Sequence, residues 1–240
     1  MIYSSEFRVA SHDCDRFQNV RPAVILRYMQ ECTNLQLHDF GPSYEELHDA
    51  HKAFILSKIN MSIYSPLKAY TKIRVETWPL ESSGVSFHRN SRIYNGDSLV
   101  AELATLWAMV DTDNKKFIRA NEVEFGFDCD SEQLGIDPPG RMKLPEDIRL
   151  SLAGEYNVAY DNTDMNQHLN NTYYLEMFCD FLPLKENEMV SNVAVDFKKE
   201  ASFGETLKVY RGEYDGSYYF RTVKSDGTVN SEAIITTDRI

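Results

Sequence analysis

The sequence predicts an α+β protein in which one plan is written twice, each copy a central helix laid against an antiparallel sheet. Two observations carry this. The segment "FRVASHDCDRFQNVRPAVILRYMQEC" lies without gaps over "YNVAYDNTDMNQHLNNTYYLEMFCDF", pairing Val9 with Val158, Ala10 with Ala159, Asp15 with Asp164, Gln18 with Gln167 and Leu26 with Leu175. Beyond each segment, strand-like alternation recurs in a second common register: Ile59, Met61 and Ile63 match Val193, Val195 and Phe197, while Ile73 and Val75 match Leu207 and Val209. The identities are few. What repeats is the order of a short strand, a polar turn, a run at helical spacing and then alternating strands.

Each element has a local reason. Pro22 fits an opening helical turn, where its missing N–H does no harm, and Val24, Ile25, Tyr28, Met29 and Leu35 follow at helical spacing. "VSFHRNSRIY" and "LVAELATLWAMVD" alternate as strands, with Gly96-Asp97 between them as a tight turn. "LGIDPPGRMKLPED" has the Pro and Gly content of an ordered connector. In the second copy Leu169, Tyr173, Tyr174, Met177, Phe178 and Phe181 supply a broad apolar helix face that Pro183 ends. "SYYFRTVK" and "SEAIITTD" complete its sheet, with Asp215-Gly216 as a further turn. These elements divide the chain into a first unit over residues 1–120, a connector over 121–150 and a second unit over 151–240. If the two sheets run together, each helix is wrapped by sheet and the crevice between units is the natural ligand site.

With 42% hydrophobic residues, 240 residues can bury a substantial core. The formal charge is −12, and all of the acidic excess lies beyond residue 120. General nucleic-acid binding, which wants a concentrated basic surface, is disfavoured. The opening "MIYSSEFRVASHDCD" lacks a basic end followed by an apolar run, and no stretch has the length of a membrane span. A cytoplasmic protein is expected. Cys14, Cys32, Cys129 and Cys179 are widely spaced and suggest neither a zinc cage nor a disulfide framework.

The chemistry concentrates in "YDNTDMNQHLNN", residues 160–171. Asp164 can accept N–H groups at a helix entrance, and with Gln167 it has capping-box spacing. Asn166 offers a donor and an acceptor, and His168 can donate, accept or change protonation near neutral pH. Two readings stand at this point: a hydrogen-bonded polar turn, or a site where helix-start amides and side chains meet a carbonyl. The first copy separates them in part. Asp164 keeps its counterpart Asp15, but Asn166 faces Phe17, His168 faces Asn19 and Glu200 faces Pro66. A cap explains Asp in both copies; it does not explain reactive side chains gathered only in the second.

Over nearly its whole length the chain resembles the plant and bacterial acyl-[acyl-carrier-protein] thioesterases. "DMNQHLNNTYYLEMF" is similar to that family's Asp-x-Asn-x-His-x-Asn-Asn segment leading into its second central helix, and "VDFKKEASFGETLKV" to the strand leading to its catalytic acid. "ILSKINMSIYSPLKAYTKIRVETWP" and "LATLWAMVDTDNKKFIR" resemble its opening sheet and its Trp-x-x-x-Asp strand. The resemblance implies a tandem hotdog fold, with Asp164, Asn166, His168 and Glu200 on the family's functional positions. Plant members often carry Cys after that Glu; here the residue is Ala201, which removes a Cys-His-Asn reading at this site.

On this basis Glu200 would activate water as general base, His168 would orient water or thioester and assist proton transfer, Asn166 and helix-start amides would hold the oxyanion, and Asp164 would fix the turn. Direct attack by Glu200 is the less favoured branch. No cofactor or metal is expected. The expected partner is acyl carrier protein bearing a phosphopantetheine-linked acyl chain, and a homodimer is compatible. Acidic carrier protein needs local positive charge, for which Lys198, Lys199, Arg89 and Arg92 are candidates. Ile25, Met29, Ile55, Ile59, Tyr174 and Met177 are candidates for an acyl tunnel, with core packing the better reading of each, and Trp78 and Trp107 are similarly ambiguous. Acyl-coenzyme A hydrolysis, a hydratase or dehydratase, and an inactive acyl-binding protein are the alternatives.

Overall fold

A computed structural model describes residues 1–240. The first unit comprises β1 (Tyr3–Arg8), α1 (Pro22–Phe40), α2 (Tyr44–Asp49), β2 (Lys52–Ile63), β3 (Lys72–Pro79), β4 (Phe87–Asn95), β5 (Ser98–Asp111) and β6 (Lys116–Ile118). The second comprises β7 (Ser151–Asn157), α3 (Asn171–Asp180), β8 (Glu188–Phe197), β9 (Thr206–Tyr214), β10 (Ser217–Val223) and β11 (Val229–Arg239). All strands join one 11-stranded sheet in the order β1-β3-β4-β5-β2-β8-β11-β10-β9-β7, with β6 on β5. The first five strands and the last five follow the same order read from opposite ends, which is the tandem hotdog arrangement.

The seam is β2 against antiparallel β8, running from Lys58 opposite Asp196 to Ser62 opposite Asn192. Lys58 Nζ lies 3.2 Å from Asp196 Oδ1, and the Asn192 side-chain amide donates to Met61 O and Ser62 Oγ. The matched strands fall where alternation puts them, in β2 with β8 and β3 with β9. Gly96-Asp97 and Asp215-Gly216 turn β4 into β5 and β9 into β10. Gly96, Asp215 and Gly216 all take positive φ, the backbone that tight hairpin turns demand.

Helices α1 and α3 lie on one face of the sheet and bury their apolar faces in a core cluster of 35 residues that spans both units. Ile25, Met29, Ile59, Tyr174 and Met177 belong to it, so these tunnel candidates are packing residues, while Ile55 is exposed. The helices also touch each other. Arg21 and Arg27 both pair with Glu176, at 3.2 and 2.9 Å, and Arg27 covers the Tyr173 ring. The two copies differ in length here: α1 has 19 residues and α3 has 10. The extra turns of α1 carry Thr33, Gln36 and Leu37 past the point where α3 stops.

The connector is pinned to the opposite, outer face of the first unit. It crosses the strands in sheet order: Trp78 of β3 donates its indole N–H to Glu132 O, Arg92 of β4 binds Glu132 and Gln133, Glu102 of β5 accepts the Gly135 amide, and Asn60 of β2 donates to Asp137 O. Polar side chains on the solvent side of a sheet thus become anchors for an otherwise irregular strap, which satisfies its main-chain groups. Trp78, fully buried beneath it, is a structural residue.

Candidate active site

The polar stretch folds as a self-contained turn ahead of the helix. Asp164 Oδ1 accepts the amides of Asn166 at 2.9 Å and His168 at 3.2 Å, Asp164 N donates to His168 O, and Gln167 takes φ of +63°. The first copy repeats this geometry. Asp15 Oδ1 accepts from Phe17 N at 2.8 Å and Asn19 N at 3.0 Å, Asp15 N donates to Asn19 O, and Gln18 takes φ of +65°. The two Asp residues therefore do the same local work.

This corrects the expected capping box between Asp164 and Gln167. Helix α3 begins at Asn171 and is capped by Asn170, whose side chain accepts from Thr172 N at 2.9 Å. Because Tyr173 N bonds Asn170 O, the first turn consumes two of its own amides, and only the Asn171 N–H remains of the helix-start donors expected to face a carbonyl. Asx chemistry closes the turn first, and a second Asx residue six positions later starts the helix.

A short antiparallel bridge then brings the separated residues together. His168 pairs with Ser202, Leu169 N donates to Ala201 O at 2.8 Å, and Phe203 N donates to Gln167 O at 3.0 Å. That zipper places His168 Nδ1 3.3 Å from Glu200 Oε2, across 32 positions of sequence, with the His side chain 31% exposed and the Glu side chain 66% exposed. Ala201 is wholly buried beneath the bridge. A small side chain is what the close approach of the two segments accommodates there.

A cavity of about 300 Å³ lies beside the turn. One wall is Asp164, Met165, Asn166, Asn170 and Asn171 from the second unit. The others come from the first unit and the connector: Leu37 of α1, Leu47 of α2, Phe54 of β2, Phe87 of β4, Trp107 of β5 and Phe125 of the connector. Phe54 stands edge-on to Phe87 and Trp107, with ring centroids 5.4 and 6.3 Å apart. His168 and Glu200 do not line the cavity; Asn166 stands between chemistry and cavity in the chain. Thus two of the four expected residues, Asp164 and Asn166, line the cavity, and the other two, His168 and Glu200, pair outside it with Glu200 facing solvent. The aromatic lining was missed, because Phe54, Phe87 and Trp107 read as ordinary strand residues until the connector closes over them.

A second cavity, of about 400 Å³, is the counterpart on the other side of the duplication, where the first copy's turn (Asp15, Phe17, Asn19) faces Leu175, Cys179 and Leu182 of the second unit. It has neither a His nor a paired acid at the positions of His168 and Glu200. Cys179 belongs to this second cavity, and burial pushes its thiol up to about 12, so it holds its proton at neutral pH. Cys179→Ser is expected to leave most turnover intact. Loss of activity in a folded variant, with an acyl group trapped on Cys179 in the parent, would require a different nucleophile.

Of the positive-charge candidates, Lys198 is engaged with Glu232 at 3.0 Å, Arg92 with Glu102 and Glu132, and Arg89 points inward. Lys199, exposed beside Glu200, is in no ion pair.

A double hotdog with two related cavities, only one of which adjoins an Asn, a His and an acid, defines the protein class. Models of the acyl-ACP thioesterase N-terminal and C-terminal domains match residues 1–124 and 146–238. The chain belongs to the acyl-ACP thioesterase family. It is 17% identical over 224 residues to the chloroplastic palmitoyl-acyl carrier protein thioesterase of Gossypium hirsutum, covering 87% of this chain and 54% of that protein. The chain thus spans about half the length of this curated relative. Its fold is similar to that of an acyl-ACP thioesterase from Bacteroides thetaiotaomicron, with TM-score 0.88, 19% identity and coverage of 99% and 98% of the two chains. It is also similar to that of a 12:0-ACP thioesterase from Umbellularia californica, with TM-score 0.77, 15% identity and coverage of 100% and 98%. No helix is long and apolar enough to cross a membrane.

Proposed function

We propose that the chain hydrolyses the thioester linking a fatty acyl group to acyl carrier protein, releasing free fatty acid and carrier thiol, with the chemistry in the second unit (residues 151–240). The single observation that carries this reading is the His168–Glu200 pair at 3.3 Å, held by a turn whose Asn166 opens onto an aromatic-lined cavity. The acyl chain lies in the cavity and the thioester at its mouth. Asn166, with the Asn171 amide, stabilises the tetrahedral oxyanion more than the ground-state carbonyl. Glu200 takes a proton from the attacking water as that water adds to the carbonyl carbon; collapse of the intermediate expels the thiolate, which takes that proton from Glu200 and restores the carboxylate. His168 orients the water and Glu200. Asp164 touches neither water nor thioester: it fixes the turn from which Asn166 and His168 project. The solvent exposure of Glu200 favours a water-mediated step over direct carboxylate attack, and unpaired Lys199 offers a cation to an acidic carrier.

The test is thiol release from a panel of short, medium and long, saturated and unsaturated acyl carriers, run beside the same acyl groups on coenzyme A. Free thiol from the carrier series, without added metal or nucleotide, is the expected result. Absence of thiol across the whole panel from folded protein would end the hydrolytic reading, and preference for coenzyme A would replace the carrier assignment.

A further inference from the structure

Alternation along β4 places Phe87, Arg89, Ser91 and Ile93 on one face, toward α1. Arg89 is thus a cation at a core-facing position, and it lines the same 300 Å³ cavity as Asn166. Its Nη1 donates to Gln36 Oε1 at 2.6 Å and to Thr77 Oγ1 at 3.2 Å, and its guanidinium faces the Phe127 ring at 5.7 Å. The other edge of the guanidinium, Nε and Nη2, makes no hydrogen bond within the protein. Gln36, wholly buried, leaves its Nε2 without a partner as well. The ionisable groups facing Arg89 are the thiols of Cys32 and Cys129, not a carboxylate, and burial pushes the guanidinium down to about 10. Half-buried and in no ion pair, the guanidinium gains no counter-ion from the fold.

The duplication supplies a control. The register that sets Arg89 opposite Pro79 sets Tyr218 opposite Glu213 in the second unit, and the one that sets Ser91 opposite Thr77 sets Phe220 opposite Arg211. The second copy builds the same strand with aromatic residues, and Phe220 is core. The fold does not require the Arg89 group.

We propose that the acyl chain accepted here carries an oxygen acceptor at its distal end, a carboxylate above all, which docks on the free Nε–Nη2 edge of Arg89. This rests on the reading of the cavity as the acyl site. The free edge offers two parallel N–H donors, the geometry a carboxylate fills bidentately, and the ligand's charge replaces the missing counter-ion. A terminal methyl group satisfies neither donor. Asn166 and Arg89 line the same cavity, so a chain held by its thioester beside Asn166 shares that space with the free edge of Arg89.

The experiment compares carrier-protein thioesters of equal chain length ending in methyl, hydroxyl or carboxylate, on the wild type, Arg89→Met and Arg89→Lys. The carboxylate-ended substrate should exceed the methyl-ended one in kcat/KM by roughly 10- to 100-fold, the worth of hydrogen bonds to a charged group, with the hydroxyl between. Arg89→Met should invert that order, and it should melt somewhat lower than wild type because Gln36 Oε1 loses its donor. Arg89→Lys, which keeps charge without the planar edge, should fall between and carries the comparison if Arg89→Met does not fold. Preference of the wild type for the methyl end, or an order unchanged in the variants, overturns the inference and leaves the hydrolytic reading standing. If no substrate releases thiol, the hydrolytic reading falls by itself. Calorimetric binding of a dicarboxylic acid mono-methyl ester against the monocarboxylic methyl ester then decides the inference: tighter binding of the former, abolished by Arg89→Met, supports it, and equal binding overturns it.

Discussion

Glu200→Gln is expected to lower hydrolysis at saturating acyl carrier by roughly 10²- to 10⁴-fold, the usual cost of removing a positioned proton acceptor. The amide keeps the size and one acceptor oxygen of the carboxylate, so its contact with His168 can persist while its basicity is gone. Thermal unfolding should hardly move, because the side chain is 66% exposed and its contact is only with His168; exposed pairs contribute little. His168→Ala should produce a loss of the same order, through a misplaced water and an unguided Glu200. Full activity of Glu200→Gln with carrier substrates would move the base elsewhere and reduce residues 160–171 to a closed turn.

The second large effect concerns the two Asp turns, which are alike in geometry and different in surroundings. Asp164→Ala and Asp15→Ala each remove an oxygen that accepts two main-chain amides. Each should cost about 1–3 kcal/mol of stability, since the amides lose their partner. Only Asp164→Ala should also lower turnover at least roughly 10-fold, because the turn it closes holds Asn166 and His168 in place. Asn at either position should restore most of the stability, as its Oδ1 can accept the same two amides. Turnover and melting measured together on all four variants separate the roles. A large activity loss in Asp15→Ala at unchanged stability would contradict a single working site in the second unit.

The strands and the duplication were legible because alternation at period two is imposed by burial on one face, and both copies bury the same face. Ile59, Met61, Val193 and Val195 had no other place to go. The partition of the polar stretch was less legible. Asp164 with Gln167 carries the spacing of a helix cap, and so do turns that close on themselves; what decides is the positive φ of Gln167, a local conformation the sequence states only through its repetition at Gln18. The proximity of His168 to Glu200 depends on a two-strand bridge between distant segments, which no local pattern records. The cavity was the least legible part. Phe54, Phe87 and Trp107 alternate as core residues do, and they become a lining only because α1 outruns α3 and the connector carries Phe125 across the gap. Arg89 did leave a signal, a cation in phase with Phe87 and Ile93, but in an isolated strand that phase is outweighed by the frequency with which Arg faces solvent.

The β2–β8 seam has a consequence for behaviour in dilute solution. A cavity with walls from two folded units is ordinarily hostage to their association: halving the protein concentration lowers the fraction assembled, and activity per molecule falls with it. Here the strap between β6 and β7 ties the halves into one chain and replaces that equilibrium with an intramolecular one, in which each half meets the other at an effective concentration fixed by the tether and not by the amount of protein present. The pairing of Lys58 with Asp196 and of Ser62 with Asn192 is thereby made independent of abundance, and a cell with few copies of the protein holds the cavities of every chain complete.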